Sequence, residues 1–106
     1  MYYTYMLRCE DNSIYTGITT DLSRRLEEHK SKNSKCAKYT LKHSAIKFEA
    51  AWESETRSAA SKLEYNLKKL TKLQKEALIE KTKDLLIIFG EKVNCNEYTR
   101  FEIKWG

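Results

Sequence analysis

Proline is absent from this 106-residue chain and glycine occurs three times. With no internal repeat either, a low-complexity linker is excluded. Cysteine is also scarce: Cys9, Cys36 and Cys95 are odd in number and form no Cys-x-x-Cys pair. That spacing favours neither a disulfide framework nor a zinc ribbon, and three reduced thiols are expected. No run of about 18 apolar residues occurs, so no membrane-spanning helix is expected. The start, Met1-Tyr2-Tyr3-Thr4-Tyr5, lacks the basic region and apolar stretch of a signal peptide. These absences describe a soluble protein of the cytoplasm. A hydrophobic content of 41% over this length allows one compact domain with a small core.

Acidic residues are outnumbered, 15 against 20 basic ones, giving a net charge of +5. The excess alone is a weak sign of an anionic partner, but its distribution says more. Residues 30–47 carry Lys30, Lys32, Lys35, Lys38, Lys42, His43 and Lys47 with no acid among them. Tyr39 interrupts the run and can stack on a base. Lys30, Lys32, Lys35, Lys38, Tyr39 and Lys42 are therefore candidates for nucleic-acid binding. A solvated, lysine-rich surface loop explains the same run.

Residues 2–9 alternate Tyr3, Tyr5 and Leu7 as a strand, and the turn cluster 10–13 leads into a second strand over 14–18. Two strands joined by four polar residues predict an antiparallel hairpin. Thr20 or Asp21 then caps a helix in which Leu22 and Leu26 are four apart, as are Arg25 and His29 on a neighbouring stripe. Residues 45–52 set Ile46, Phe48 and Ala50 against Lys47 and Glu49, a third strand. Ser54 can cap a second helix, with Ala59, Ala60, Leu63, Leu67 and Leu70 inward and Glu64 at the margin. Thr71 and Gln74 resemble a capping box for a helix over 72–83, with Leu73, Ala77 and Leu78 inward. Gly90 ends this element or an apolar continuation over 85–89, and 98–105 alternates as a terminal strand. The order β-β-α-β-α-α is a small α/β sandwich, a three-stranded antiparallel sheet flanked by helices. Residues 1–83 form its body, and 84–106 are an extension packing on the same domain.

Tyr15 closes the second strand ten residues before Arg25, so a phenol and a guanidinium can converge on one phosphate. Cutting a phosphodiester needs a base, charge relief at the phosphate and help for the leaving alkoxide. Tyr15 can act as the base on water if a nearby cation lowers a phenol pKa that is ordinarily about 10. Arg25 is that cation, and its planar fork suits phosphate. Glu64 is a hard oxygen ligand for one Mg²⁺ whose other positions are water and substrate. His29 can donate to a phosphate or shuttle a proton. Each has a structural competitor: strand tyrosines packing on a sheet, a solvated helix face, and a Glu64–Lys68 pair at i,i+4.

Taken in order, these residues resemble the GIY-YIG nuclease superfamily. Tyr3-Thr4-Tyr5 and Tyr15-Thr16-Gly17 look like its paired strand motifs, Arg25 like its essential helix arginine, and His29 like the His or Tyr four residues later. Residues 63–69 resemble its metal-binding glutamate helix, and Leu7-Arg8-Cys9 with Gly17-Ile18-Thr19 look closest to small stand-alone bacterial members. The resemblance covers about residues 1 to 80. It implies Tyr15 as general base or its close helper, Tyr5 as a second active-site phenol, Arg25 stabilising the phosphate, His29 assisting and Glu64 binding the metal. Tyr3 and Thr4 depart from the namesake Gly and Ile, Thr16 departs from the second Ile, and Ile18 stands where some repair members have a lysine.

The expected activity is that of a Mg²⁺- or Mn²⁺-dependent endonuclease with one divalent ion. It acts on branched, flapped or single-stranded DNA more readily than on plain duplex, with RNA as a further possibility, and as a monomer or weak homodimer. The competing expectation is a non-catalytic nucleic-acid-binding module on the same scaffold. A catalytic role requires Tyr5, Tyr15, Arg25, His29 and Glu64 to line one concave face.

Overall fold

The computed structural model describes residues 1–31 and 42–103. The strands lie within the segments where the sequence places them, give or take two residues. β1 (Tyr2–Cys9) lies between β2 (Ile14–Thr19) and β3 (Ala45–Ser54), antiparallel to both. The β1–β2 turn is held by Asp11, which accepts from the Ser13 backbone N–H at 3.1 Å, and by Asn12 in the left-handed region at φ 69°. A fourth strand, β4 (Thr99–Phe101), pairs with β3 and corrects the three-stranded expectation; the sheet order is β2-β1-β3-β4. Arg100 explains why this short segment docks. Its guanidinium sits 5.1 Å from the centre of the Trp52 indole and donates to the carbonyls of Leu78, at 3.0 Å, and Ile79.

Helices cover both sides of the sheet. α1 (Leu22–Ser31) starts at Asp21, whose carboxylate accepts from the Arg24 N–H at 3.1 Å. α2 (Arg57–Lys68) is capped by Thr56 and not by Ser54, because Ser54 is still the last residue of β3, paired with Tyr2. α3 (Lys72–Ile79) opens with the expected Thr71/Gln74 capping box but stops at Ile79, short of residue 83. Leu78 is buried while Leu73, expected inward, is 81% exposed. Five residues turn a helix by about 140° beyond a full circle, so these two leucines cannot share a face. α4 (Leu85–Phe89) buries Leu85 and Phe89, and Gly90 ends it at φ 57°. Two single-turn 3₁₀ segments, Gly90–Lys92 and Cys95–Glu97, lead to β4.

Alternation along β1 sends Tyr5 and Leu7 to one side, with Leu22, Leu26, Phe48 and Ala51. Met6 goes to the other, with Ala50, Trp52, Leu63, Leu67, Leu78 and Tyr98. β3 does not follow the simple alternation expected of it. Its pairing with β1 slips twice, with Met6 opposite Ala50 but Leu7 opposite Phe48, then Arg8 opposite Lys47 but Cys9 opposite Ala45. Glu49 and Ile46 are the two extra residues, and each bulge turns the strand over. Phe48 therefore packs under α1 while Ala50 packs under α2, and Ile46, expected inward, is 53% exposed. The bulged Glu49 accepts from Arg8 Nε and Nη2 at 3.0 and 2.8 Å, and Arg8 also makes a two-pronged pair with Glu76 of α3. That clamp joins β1, β3 and α3, and Glu76 with Glu49 holds the Arg8 guanidinium in its charged form. Cys9 is a buried free thiol and Cys95 a half-buried one; Cys36 and Trp105 lie outside the described residues.

Candidate active site

Strand pairing places Tyr5 directly across from Gly17, two residues beyond Tyr15. Residue 17 must be small for a spatial reason. A Cβ there would lie 2.8 Å from the Tyr5 hydroxyl oxygen, 2.9 Å from its Cζ and 3.0 Å from Tyr15 Cε2. Both phenol rings thus lean across the glycine, with centroids 6.1 Å apart. Nothing in the spacing of the tyrosines announces this role for Gly17; the hairpin register does.

α1 closes the group from above. Leu22 and Leu26 seat the helix on the Tyr5 side, which swings Arg25 and His29 toward the phenols. His29 is fully buried, its ring centroid 5.8 Å from that of Tyr5 and 5.3 Å from that of Tyr15. Its Nε2 is 2.9 Å from the Tyr5 hydroxyl. Burial first, and the Arg25 charge second, pull its pKa down to about 4, so the imidazole is neutral at pH 7. Burial and the neighbouring Tyr15 push the Tyr5 phenol well up. A protonated phenol and a neutral imidazole share one proton across this contact, its direction set by the His29 tautomer. His29 is therefore placed against the Tyr5 hydroxyl.

Arg25 joins the same cluster. Burial pulls on its guanidinium, but the Glu28 carboxylate at 3.0 Å and the Tyr5 oxygen outweigh that and keep it cationic. Glu28 was not legible as a site residue, since a Glu at i+3 from an Arg is ordinary helix chemistry. Tyr15 is half-buried, so of the two phenols it has the better access to solvent.

α2 packs through Ala60, Leu63 and Leu67 against the opposite side of the sheet from α1, and Glu64 pairs with Lys68 at 3.5 Å. The i,i+4 competitor is thus present in the fold. Lys68, in turn, lines a cavity with Tyr15, Ile14, Thr16 and Lys75, so the helix end reaches the Tyr15 edge of β2. Four of the five expected residues, Tyr5, Tyr15, Arg25 and His29, gather in one cluster. Among the described residues no group of three or more His, Cys, Asp or Glu side chains is arranged to hold a metal. A single carboxylate, a quarter exposed, still suits an ion such as Mg²⁺ that keeps its waters and takes its remaining oxygens from a phosphate. The same donor set does not suit a closed zinc site.

Of the basic run, Lys30 and Lys42 are exposed, while Lys32, Lys35, Lys38 and Tyr39 lie outside the described residues. The run has no acid of its own, but folding supplies some. Lys30 comes to 4.0 Å from Glu27, His43 to 2.6 Å from Asp11 and Lys47 to 3.4 Å from Glu49.

The profile of the GIY-YIG catalytic domain matches residues 1–77, which takes in both strand motifs, α1 and α2. The chain belongs to the GIY-YIG family. This GIY-YIG protein is 50% identical over 80 residues to a UPF0213 protein of Fusobacterium nucleatum, covering 76% of this chain and 78% of that one. It is 37% identical over 78 residues to a UPF0213 protein of Halobacterium salinarum, covering 74% of this chain and 99% of the other. The solution NMR structure of a UPF0213 protein from Bacillus halodurans is also similar, at 38% identity and TM-score 0.48, covering 76% of this chain and 84% of that one. The GIY-YIG superfamily is one of nucleases that generally use divalent ions, so this domain is of nuclease type and its class of substrate is nucleic acid. No helix among the described residues of the GIY-YIG protein is long and apolar enough to cross a membrane.

Proposed function

We propose that this chain is a metal-dependent endonuclease that hydrolyses phosphodiester bonds in DNA, selecting its target by strand structure more than by sequence. The observation that carries the reading is the cluster of Tyr5, Tyr15, Arg25 and His29, in which a fixed cation sits against two phenols and a neutral imidazole. Arg25 holds a phosphate oxygen through its planar guanidinium, and so offsets charge as the phosphorus becomes five-coordinate. Tyr15, the more accessible phenol, takes the proton from the attacking water. Tyr5 stays protonated because its site is buried, and its hydrogen bond to His29 keeps its oxygen facing Arg25. Glu64 is the residue that holds the divalent ion, whose contribution when bound is to neutralise charge at the phosphate and leaving oxygens.

Backbone charge supplies the affinity. The run from residue 30 to residue 47 meets phosphates without reading bases, so binding falls steeply with salt. Flapped, branched and single-stranded DNA fit this better than plain duplex, because unstacked bases can meet Tyr39. The deciding assay offers plain, nicked, flapped, branched and single-stranded DNA, with and without Mg²⁺, to the natural protein and to Glu64→Ala. Mg²⁺-dependent cutting that vanishes in Tyr15→Phe, Arg25→Ala and Glu64→Ala proteins with unchanged melting is expected; equal traces from the natural protein and Glu64→Ala would mean contamination.

The Glu64–Lys68 pair favours one rival, a nucleic-acid-binding module that does not cut. That module would bind with the same salt dependence and leave every substrate intact, and Lys35→Glu with Lys38→Glu would weaken it more than Glu64→Ala.

A further inference from the structure

β2 is an edge strand, and its two sides meet different chemistry. Tyr15 belongs to the phenol cluster, whereas Ile14 packs with the α2 core. Between them a cavity of about 300 Å³ wraps the edge, lined by Ile14, Tyr15, Thr16, Lys68 and Lys75. Thr16 is 3% exposed and its Oγ1 has no hydrogen-bond partner among the described residues. A buried hydroxyl in that condition costs about 1–3 kcal/mol unless something pairs with it. The two charged residues of the lining are both lysines, from the last turn of α2 and the middle of α3. Lys68 shares its charge with Glu64, but Lys75 has no ion pair among the described residues. Partial burial also lowers its pKa, the mark of an ammonium that would gain from an anion.

We propose that this cavity holds the nucleic-acid backbone phosphate next to the one at Arg25, gripped by Lys68 and Lys75, so that a single strand wraps the free edge of β2. Which phosphate is meant rests on the nuclease reading above; the phosphate site itself does not. Tyr15 borders both positions, so one strand can lie on Arg25 and on the lysines without leaving the surface. Two cations and an unpaired hydroxyl at an edge, with no acid in the lining, fit a phosphodiester better than a base or a peptide carboxylate, since the grip is multiple and the walls offer no base-edge pattern. Binding there also draws the Lys68 ammonium toward the phosphate and away from Glu64. Strand binding thereby uncovers the carboxylate that the divalent ion requires.

The test uses the full chain in EDTA, where nothing is cut, and a five-nucleotide single-stranded DNA followed by ¹⁵N NMR and by fluorescence anisotropy over a salt series. Expected are shifts of the Thr16, Lys68 and Lys75 amides in step with that of Arg25. Lys75→Met should weaken binding about three- to tenfold and lower the salt slope by about 0.7, one phosphate contact on a single strand, and Lys75→Arg should restore both. Binding that moves Arg25 but leaves Thr16 and Lys75 still, or a Lys75→Met protein that binds as the natural one does, overturns the proposal. The nuclease reading fails separately. A chain that shows these shifts yet cuts nothing in Mg²⁺ keeps the subsite and loses catalysis, and one that cuts without them does the reverse.

Discussion

On the α2 side of the sheet the buried hydroxyls of Thr4 and Tyr98 end on backbone carbonyls, those of Ala60 at 3.1 Å and Ala59 at 2.7 Å. On the α1 side Tyr5 ends on His29 and Arg25 on Glu28, so side chains meet side chains. A carbonyl partner neither titrates nor turns, and it locks a helix to a strand. A side-chain partner can change protonation, rotate or be displaced by a ligand. The two sides of one strand therefore divide the labour: Met6, Leu63 and Tyr98 supply cohesion, while Tyr5, Tyr15, Arg25 and His29 supply a polar cluster that can respond to a phosphate.

That division can be broken from either side, and the largest effect is expected at Arg25. Arg25→Ala should lower single-turnover cleavage of a flapped DNA about a thousandfold, about 4 kcal/mol, with little change in thermal midpoint. A fall in melting sufficient to explain the lost activity would erase the distinction. Leu63→Ala is the mirror experiment. It should cost about 3 kcal/mol in urea unfolding through lost burial and a cavity, while cleavage per folded molecule stays the same.

Acid sharpens the contrast. His29 has a folded pKa of about 4 against 6.5 when unfolded, so between these values the unfolded chain binds the proton and the native one does not. Stability from this residue is complete above pH 6.5 and is lost as pH falls to 4, by about 3 kcal/mol in all. Urea midpoints across that range should follow this slope, and His29→Gln should flatten it. The smallest effect is expected at Gly17. Gly17→Ala forces the Tyr5 ring aside and should cost about 1–2 kcal/mol of stability. Cleavage should suffer more than that loss implies; equal losses would mean the Tyr5 position is immaterial to the chemistry.

Much of this was legible beforehand because it is local. The hairpin, the Thr71 capping box and the Arg25/His29 stripe all follow from residues within four of one another. What was not legible depends on distant partners. The choice of Thr56 over Ser54 as cap depends on how far β3 stays paired. The Arg8 clamp joins residues 41 and 68 positions apart, and the burial of His29 depends on β1 lying beneath it. β4 lies within the terminal strand expected over 98–105, but its place in the sheet depends on β3, some fifty positions away. The helix that carries Glu64 was placed correctly, while helical periodicity alone says nothing about which side of the sheet it covers.

The bulge at Glu49 makes β3 behave like a reading frame with a shift built into it. Phe48 before it faces α1, while Ala50 and Trp52 after it, of the same parity, face α2. Removing Glu49 would restore regular pairing and leave Phe48 facing α1 and Ala50 facing α2, because neighbours in a regular strand alternate, while stripping Arg8 of one carboxylate. A single-residue deletion scan should thus find the bulge position the most tolerant of the strand, with loss of the Arg8–Glu49 pair as its cost, and deletions at regularly paired positions such as Trp52 far more damaging.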